Sequence, residues 1–378
     1  MTRFKSNPFS TRTWDSYVKR VVIQVTNYLN YDGSPCFGGR SRYVRDLALI
    51  VKNAWKKDVL VVQKATRPFS ITCPDGIPVL GMQIAPRSYS DPLFTKRVSR
   101  LLRNDDGLIY AAGEDAWPFF RSGAKAVQHG IWWDSPQSAV VRTIQNLRAL
   151  SCVSHVRSVL CVDTNFINWV RMHGARGVRL CNKCEYIPNY ADTDEIGIRE
   201  RPQGGVLKII CARRFEYKRG IMLFVDALRL LKQAGISFEA HVSAVGGVEV
   251  VRNRLNEFAL SDQVTVSEDS LDRVLERYRN FDVAVVPTIW SEGTSLSCVE
   301  AVCAGLPVVA TPVGGLGNLI IPGHNGFIAR PDAEDIARHL AILANRPVWD
   351  ELHGNCLRMR GALSRSTWEG RILDWIKK

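Results

Sequence analysis

No run of apolar residues in this chain approaches the roughly 20 that a bilayer-spanning helix needs, so no span is expected. The opening segment MTRFKSNPFSTRTW is basic but lacks the apolar stretch of a secretory leader, and the chain therefore reads as cytoplasmic. A second C-x-x-C is missing as well. Cys181-x-x-Cys184 stands alone, which leaves a structural zinc site without half its ligands. With no export signal, the 10 cysteines read as reduced thiols, and several of them, such as Cys211, Cys298 and Cys303, lie inside apolar runs. Repeats and low-complexity tracts are absent, which excludes a solenoid or a disordered array. The arginines follow no zinc-finger or RNA-recognition pattern, so no specific nucleic acid is expected as a partner.

What is present begins with length. At 378 residues the chain exceeds what one core usually holds, and two domains are expected. The net charge of +13 is unevenly placed: residues 1–100 hold 17 Lys and Arg against 6 Asp and Glu, whereas the remainder holds 33 against 31. The N-terminal part therefore faces something anionic, and a membrane surface suits it better than nucleic acid. Its most basic element is residues 91–103, where Asp91-Pro92 opens a helix. Phe94, Val98, Leu101 and Leu102 fall on one face, Lys96, Arg100 and Arg103 fall opposite, and Arg97 lies on the flank. Such a face is either simply solvated or docks on anionic headgroups, which puts the protein on the inner face of a membrane as a peripheral partner.

The stretch around which the rest is organised is Val283–Leu319. Two short β-branched runs, Val283–Val286 and Pro307–Ala310, flank a segment of helical spacing from Ser297 to Ala304 that stops at Gly305, which is one parallel βαβ unit. Ligands of open parallel sheets sit where loops leave the carboxyl ends of strands, and free N–H groups at helix starts hold anions. Here that loop is Ser291–Ser295, and Glu292 and Glu300 flank the helix start. The carboxylates suit hydroxyl groups and the backbone suits a diphosphate; equally, Ser297-x-x-Glu300 is an ordinary capping box.

Upstream, the strand from Val206 ends in Arg213-Arg214-Phe215-Glu216-Tyr217-Lys218-Arg219-Gly220. An arginine fork with a lysine beside it suits phosphate oxygens without metal, and either Arg213 with Lys218 or Arg214 with Arg219 has the spacing. At the other end, strand Val21–Thr26, a loop containing Gly38-Gly39 and helix Ser41–Lys52 form a second place where backbone can approach a phosphate. Strands follow at Val59–Val62, Val79–Ile84, Leu108–Ala111, Lys125–Gln128 and Ser158–Val162. Glu114 and Asp115 follow one strand, where they would meet an acceptor or simply be solvated, and His129-Gly130 ends another; both positions border a cleft. The D-T-D run Asp192-Thr193-Asp194 lies in an inter-domain linker and is not taken as a metal site.

The E-x7-E pair Glu292 and Glu300, embedded in EGTSLSCVEAVCAGLPVVATPVGGLGNLI, resembles the donor-site signature of glycosyltransferase family 4, the retaining GT-B nucleotide-sugar transferases. The resemblance implies an α/β, GT-B fold: two Rossmann-like domains with parallel sheets facing each other across a cleft. It implies an acceptor-binding domain over 1–195, a nucleotide-sugar-binding domain over 196–360, and a helix over 361–378 crossing back to the first. It assigns catalytic roles to Glu292, Arg213, Lys218 and His129: Glu292 holds sugar hydroxyls, Arg213 and Lys218 take the departing diphosphate, and His129 reaches the sugar from the other domain. Gly38, Gly39, Gly293, Thr294, Ser295, Leu296 and Glu300 bind the donor, the last through its ribose. Tyr190, in IPNYAD, stands where the family usually has glycine, so that loop is expected to be tighter or displaced. The implied reaction moves a hexose from a UDP- or GDP-linked donor to a lipid-linked or polysaccharide acceptor of cell-surface glycan synthesis, with no cofactor and no metal. Two alternatives stay open, a nucleotide-sugar epimerase and a non-catalytic basic protein that binds glycan or nucleic acid on this scaffold.

Overall fold

Short runs of β-branched residues become buried strands because both faces of each sheet are covered, so the side chains on both sides of the pleat must be apolar. The structure, a computed structural model, describes residues 13–36, 38–85, 91–202 and 205–378. Nearly all of the basic opening segment lies outside the described residues. The N-terminal sheet contains β1 (Arg20–Val25), β2 (Asp58–Ala65), β3 (Phe69–Thr72), β4 (Pro78–Gln83), β5 (Asp106–Tyr110), β6 (Lys125–Gln128), β7 (Ser158–Cys161) and β8 (Cys184–Tyr186) in the order β3-β4-β2-β1-β5-β6-β7-β8. Every pairing is parallel except β3 on β4. Along β1, Val21 and Ile23 enter one hydrophobic cluster and Val22 enters the cluster on the opposite face.

The second sheet contains β9 (Leu207–Arg214), β10 (Phe238–Val245), β11 (Val264–Ser267), β12 (Val283–Val286), β13 (Val308–Ala310) and β14 (Gly326–Ile328), all parallel, in the order β11-β10-β9-β12-β13-β14. Ile209 and Cys211 face one cluster and Ile210 the other. In each sheet the strand order reverses once, between β1 and β5 and between β9 and β12. Those reversal points are where loops diverge to opposite faces and leave a crevice.

Several elements differ from the sequence expectations, the short strands β8 and β14 among them. The edge strand β3 and the long helix Ala139–His155 were not anticipated. The basic helix spans Asp91–Leu101, with Asp91, Phe94, Thr95 and Val98 buried, while Leu101, expected on the inner face, is 39% exposed. The helix ends there, and the inward stripe at helical spacing is Asp91, Phe94, Thr95 and Val98, which leaves Leu101 on the flank.

The chain crosses between the domains twice. Tyr190 belongs to the N-terminal core and Ala191 to the C-terminal one, and on the return Leu363 belongs to the C-terminal core while Trp368, Ile372, Trp375 and Ile376 of the terminal helix Arg365–Lys377 pack into the N-terminal core. Lys125 at the start of β6 donates its ammonium to the Trp375 carbonyl, and Arg157 Nη2 donates to the Lys378 carbonyl at 2.6 Å. The N-terminal domain therefore depends on residues that follow the C-terminal domain. Trp375→Ala should destabilise the N-terminal domain by about 3–5 kcal/mol, the cost of emptying a buried tryptophan site. Urea unfolding that leaves this domain unchanged would remove the helix from its core.

Candidate active site

The C-terminal crevice is built where β9 and β12 end. After β9 the chain makes a single tight turn, Tyr217–Arg219, and enters the next helix through Gly220 at φ 71°, where an added Cβ would lie 1.8 Å from the Pro287 carbonyl oxygen. Only glycine fits this left-handed, crowded position. The turn is thereby pressed against the loop leaving β12, and two arginines converge on one carboxylate. Glu292, buried, accepts from Arg213 Nη2, from Arg219 Nη1 at 2.6 Å and from Thr288 Oγ1 at 3.1 Å. Arg213 is held on its other edges: Nη1 donates to Ser295 Oγ at 2.7 Å and Ser297 Oγ at 2.8 Å, and Nη2 to Thr288 Oγ1 at 2.9 Å. Burial works against ionisation of Glu292, but the charges and hydrogen bonds of Arg213 and Arg219 outweigh it and hold the carboxyl below its ordinary range.

This geometry corrects the capping-box alternative. The helix runs from Leu296 to Cys303 with Ser295 at its N-cap, and neither Ser295 nor Ser297 caps it, because both hydroxyls accept from Arg213. Arg213 of the two candidate cation pairs reaches Glu292, joined there by Arg219. Lys218 and Arg214 lie outside this knot, paired with Glu216 at 3.2 Å and 3.3 Å.

Glu300 lies one turn into the same helix, buried, and accepts from Arg42 Nη1 of the N-terminal domain at 2.8 Å. Burial raises its pKa, with Arg42 opposing. Arg42 projects from the helix Gly39–Leu49 and lies over the Tyr190 ring, 5.7 Å from its centroid. Tyr190 is buried, stacks on Trp368 at 4.0 Å and donates its hydroxyl to Asp46, which also accepts from Arg365 Nη2 at 3.1 Å. Asp192, first of the D-T-D run, accepts from Arg365 Nη1 at 2.9 Å. Among the described residues no group of three or more His, Cys, Asp or Glu is arranged to hold a metal ion.

The N-terminal half of the site comes to meet this loop directly. His129 follows β6; its carbonyl oxygen would lie 2.3 Å from a Cβ on Gly293, and Gly130, at φ 131°, would place a Cβ 2.8 Å from the Gly293 nitrogen. The His129 ring meets Tyr43 edge-on at 4.9 Å, and its Nε2 is buried without a hydrogen-bond partner. Burial, followed by the charge of Arg40, lowers its pKa to about 3, so it is neutral. Gly38 caps the helix Gly39–Leu49 in extended conformation, and a Cβ on Gly39 would lie 3.3 Å from Leu296 Cδ1. Thus the glycine loop after β1 and the helix start at Leu296 face each other.

Further hydrogen bonds close the seam. Ser291, in the left-handed region at φ 58°, donates its N–H to Asp134 Oδ2 at 2.9 Å and its hydroxyl to the Ile131 carbonyl at 3.0 Å. Thr294 donates to the Val162 carbonyl, Asn189 Nδ2 to the Thr294 carbonyl and Asn165 Nδ2 to the Gly314 carbonyl. Sequence reasoning missed Arg42, Asp134, Asn189 and Asn165. None carries a local signature, because each acts only once the other domain is beside it.

Residues 207–346 match the family described as glycosyl transferases group 1. Curated relatives also match part of the chain. The amylovoran biosynthesis glycosyltransferase AmsK of Erwinia amylovora is 28% identical over 146 residues, 36% of this chain and 36% of that protein. The D-inositol 3-phosphate glycosyltransferase 2 of Catenulispora acidiphila is 41% identical over 76 residues, 20% of this chain and 18% of that protein. The chain thus matches about a third or less of the length of these relatives. Solved structures extend the likeness to the whole fold. Sucrose-phosphate synthase from Thermosynechococcus elongatus superposes with a TM-score of 0.74 at 16% identity, covering 94% of this chain and 98% of that one. Anabaena Alr3699/HepE in complex with UDP gives 0.71 at 16% identity, covering 95% and 99%. The fold is GT-B, two parallel-sheet domains facing across a cleft.

Glu292→Gln should destabilise the protein by about 3–5 kcal/mol at neutral pH, since it leaves two largely shielded guanidinium groups without their anion. Because the folded state holds this carboxyl below its ordinary value of 4.5, the deficit should be full above that pH and shrink as pH falls below it. Thermal melting of both proteins from pH 7 downward checks the sign; a gap that widens in acid would refute the ionised knot.

Proposed function

We propose that this protein is a retaining, metal-independent glycosyltransferase of family 4 that moves a hexose from a UDP- or GDP-linked donor to a lipid-linked or polysaccharide acceptor. The observation that carries the reading is the convergence of Arg213, Arg219, Glu292 and the Leu296 helix start at the strand-order reversal of the C-terminal domain, facing His129 and the Gly38-Gly39 loop. A nucleotide sugar that loses its diphosphate needs fixed positive charge at the leaving oxygens and hydroxyl acceptors around the sugar. Arg213, Lys218, the N–H groups from Gly293 to Leu296 and the N-terminal glycine loop supply the first. Glu292 supplies the second, Glu300 takes the ribose and the neutral His129 meets the sugar from the facing domain. With no evident nucleophile, same-face displacement follows, the leaving phosphate taking the acceptor's proton. The UDP complex of the HepE neighbour and the glycan-synthesis name of AmsK support the donor and acceptor classes.

Thermal stabilisation by UDP, GDP, ADP and their sugars, with chelator present, tests the donor. A nucleotide at 100 times its dissociation constant should add about 2.7 kcal/mol to the wild type and less to Lys218→Ala. Glu292→Gln should lower turnover by about two to three orders of magnitude. If no nucleotide stabilises the protein, the binding-protein alternative stands instead; a changed sugar with donor alone would make it an epimerase.

The same reading takes the N-terminal domain to an anionic membrane surface, where a lipid-linked acceptor would be met. The helix Asp91–Leu101 exposes Lys96, Arg97 and Arg100, and the first half of the helix Ala139–His155 exposes Val140, at 69%, Val141, Ile144 and Leu147, at 59%. Exposed cations suit headgroups, at about 1 kcal/mol per cation near the surface, and exposed apolar groups suit the acyl boundary. The protein should float with anionic vesicles at low salt and be released by high salt. A protein that stays behind at low salt would remove the membrane.

A further inference from the structure

The proposed donor site occupies the crevice at the strand-order reversal of the second sheet. The first sheet has the same kind of crevice between β1 and β5, and Glu114 and Asp115 follow the second of these strands. Thr26, just beyond β1, donates to Asp115 Oδ2 at 2.7 Å across the reversal. Behind it Arg148 donates to the Glu114 carbonyl at 3.0 Å and to Asp91 Oδ2 at 2.9 Å, which fixes the short turn Gly113–Ala116. On that turn the Glu114 carboxyl is shielded, and its Oε2 has no hydrogen-bond partner among the described residues. At the end of the neighbouring strand β6, His129 Nε2 is in the same condition. Arg40, exposed at the start of the helix after β1, lies within electrostatic reach of both. Shielded polar atoms without partners are uncommon in folded proteins and ask for a ligand or a task. Two of them on adjacent strand ends, beside the donor loop, mark one place.

We propose that Glu114 is the carboxylate that binds a hydroxyl of the acceptor sugar, in a polyol subsite bordered by Asp115, Arg40 and His129 at the reversal point of the N-terminal sheet. The proposal rests on the transferase reading. A carboxylate accepts from two hydroxyls in the fork geometry that vicinal diols offer. His129, whose carbonyl abuts Gly293, links this subsite to the loop of the facing domain. The carboxyl is tuned for this environment. Burial and the neighbouring Asp115 charge push its pKa up to about 7, against the pull of Arg40 and Arg148, with the Cys152 thiol on the helix behind. Since the ionised form is the stronger hydroxyl acceptor, polyol binding strengthens as pH rises through about 7.

The test is ligand-observed saturation-transfer NMR with n-octyl β-D-glucoside below its micellar concentration, with and without UDP. The wild type should transfer saturation to the sugar-ring protons, more strongly at pH 8 than at pH 6. Glu114→Gln should weaken binding by about ten-fold or more, lose the pH dependence and keep its affinity for UDP. Arg40→Gln, a change at an exposed side chain, should move the midpoint of the pH dependence upward. A wild type with no ring-proton signal, a Glu114→Gln protein that binds equally, or an unmoved midpoint in Arg40→Gln each overturns the proposal. UDP that fails to bind the wild type undoes the transferase reading instead, and the polyol signal without UDP then stands or falls by itself.

Discussion

A buried arginine on a buried carboxylate sets the terms for the rest of this molecule. Taking Arg213 and Glu292 out of water is costly, and their attraction offsets that cost only if the remaining donors and lone pairs are satisfied. Here most are: Thr288, Ser295 and Ser297 hold the terminal nitrogens of Arg213 and Arg219 joins it on Glu292, while Arg213 Nε is shielded with no hydrogen-bond partner among the described residues. Each of those partners sits on a different segment, the end of β12, the loop, the helix start and the turn after β9. The ion pair therefore fixes four pieces of backbone relative to one another. The loop between Thr288 and Ser295 has few apolar residues of its own to bury, and its conformation is held by charge instead.

The second carboxylate works across the seam. Glu300 meets Arg42, Arg42 covers Tyr190, and Tyr190 ties to Asp46 and Trp368, so that a line of contacts runs from the C-terminal domain through both crossings of the chain. Tyr190, a large ring at the crossing between the domains, is accommodated because the returning terminal helix offers Trp368 as a stacking surface. In this closed arrangement both acidic groups of the E-x7-E pair are occupied by arginines. Any ligand that uses those oxygens competes with guanidinium groups already in place, and the energy of opening the seam is part of its affinity.

Much of this was legible in the sequence, for a physical reason. A strand buried on both faces must be written in β-branched residues, so Val21–Val25, Ile209–Cys211 and Val283–Val286 announce themselves. Gly220 and Gly293 are glycine because nothing larger fits. The edge strand β3 escaped notice because its side chains are largely exposed and carry no such pattern. The helix Ala139–His155 escaped it because its first half leaves Val140, Val141, Ile144 and Leu147 in solvent, which blurs the periodicity that marks a helix face. Sequence spacing left Arg213 and Arg214 equivalent; the alternation of side chains at the end of β9 turns Arg213 inward and Arg214 out. Ser297 read as a cap until Arg213 claimed its hydroxyl. Arg42 was one basic residue among many until Glu300 stood opposite it.

At Gly293 the domains meet main chain against main chain, with Gly130 and the His129 carbonyl on the facing side. A joint of this kind has no side-chain padding that could be compressed, so its closed spacing is fixed by the thickness of the peptide backbone. Nothing thicker than a hydrogen atom can stay between the two strands of chain once they meet. Whatever occupies the cleft must therefore lie to one side of this point, and the contact acts as a mechanical stop that determines how far the two sheets can approach, whichever molecule lies beside it.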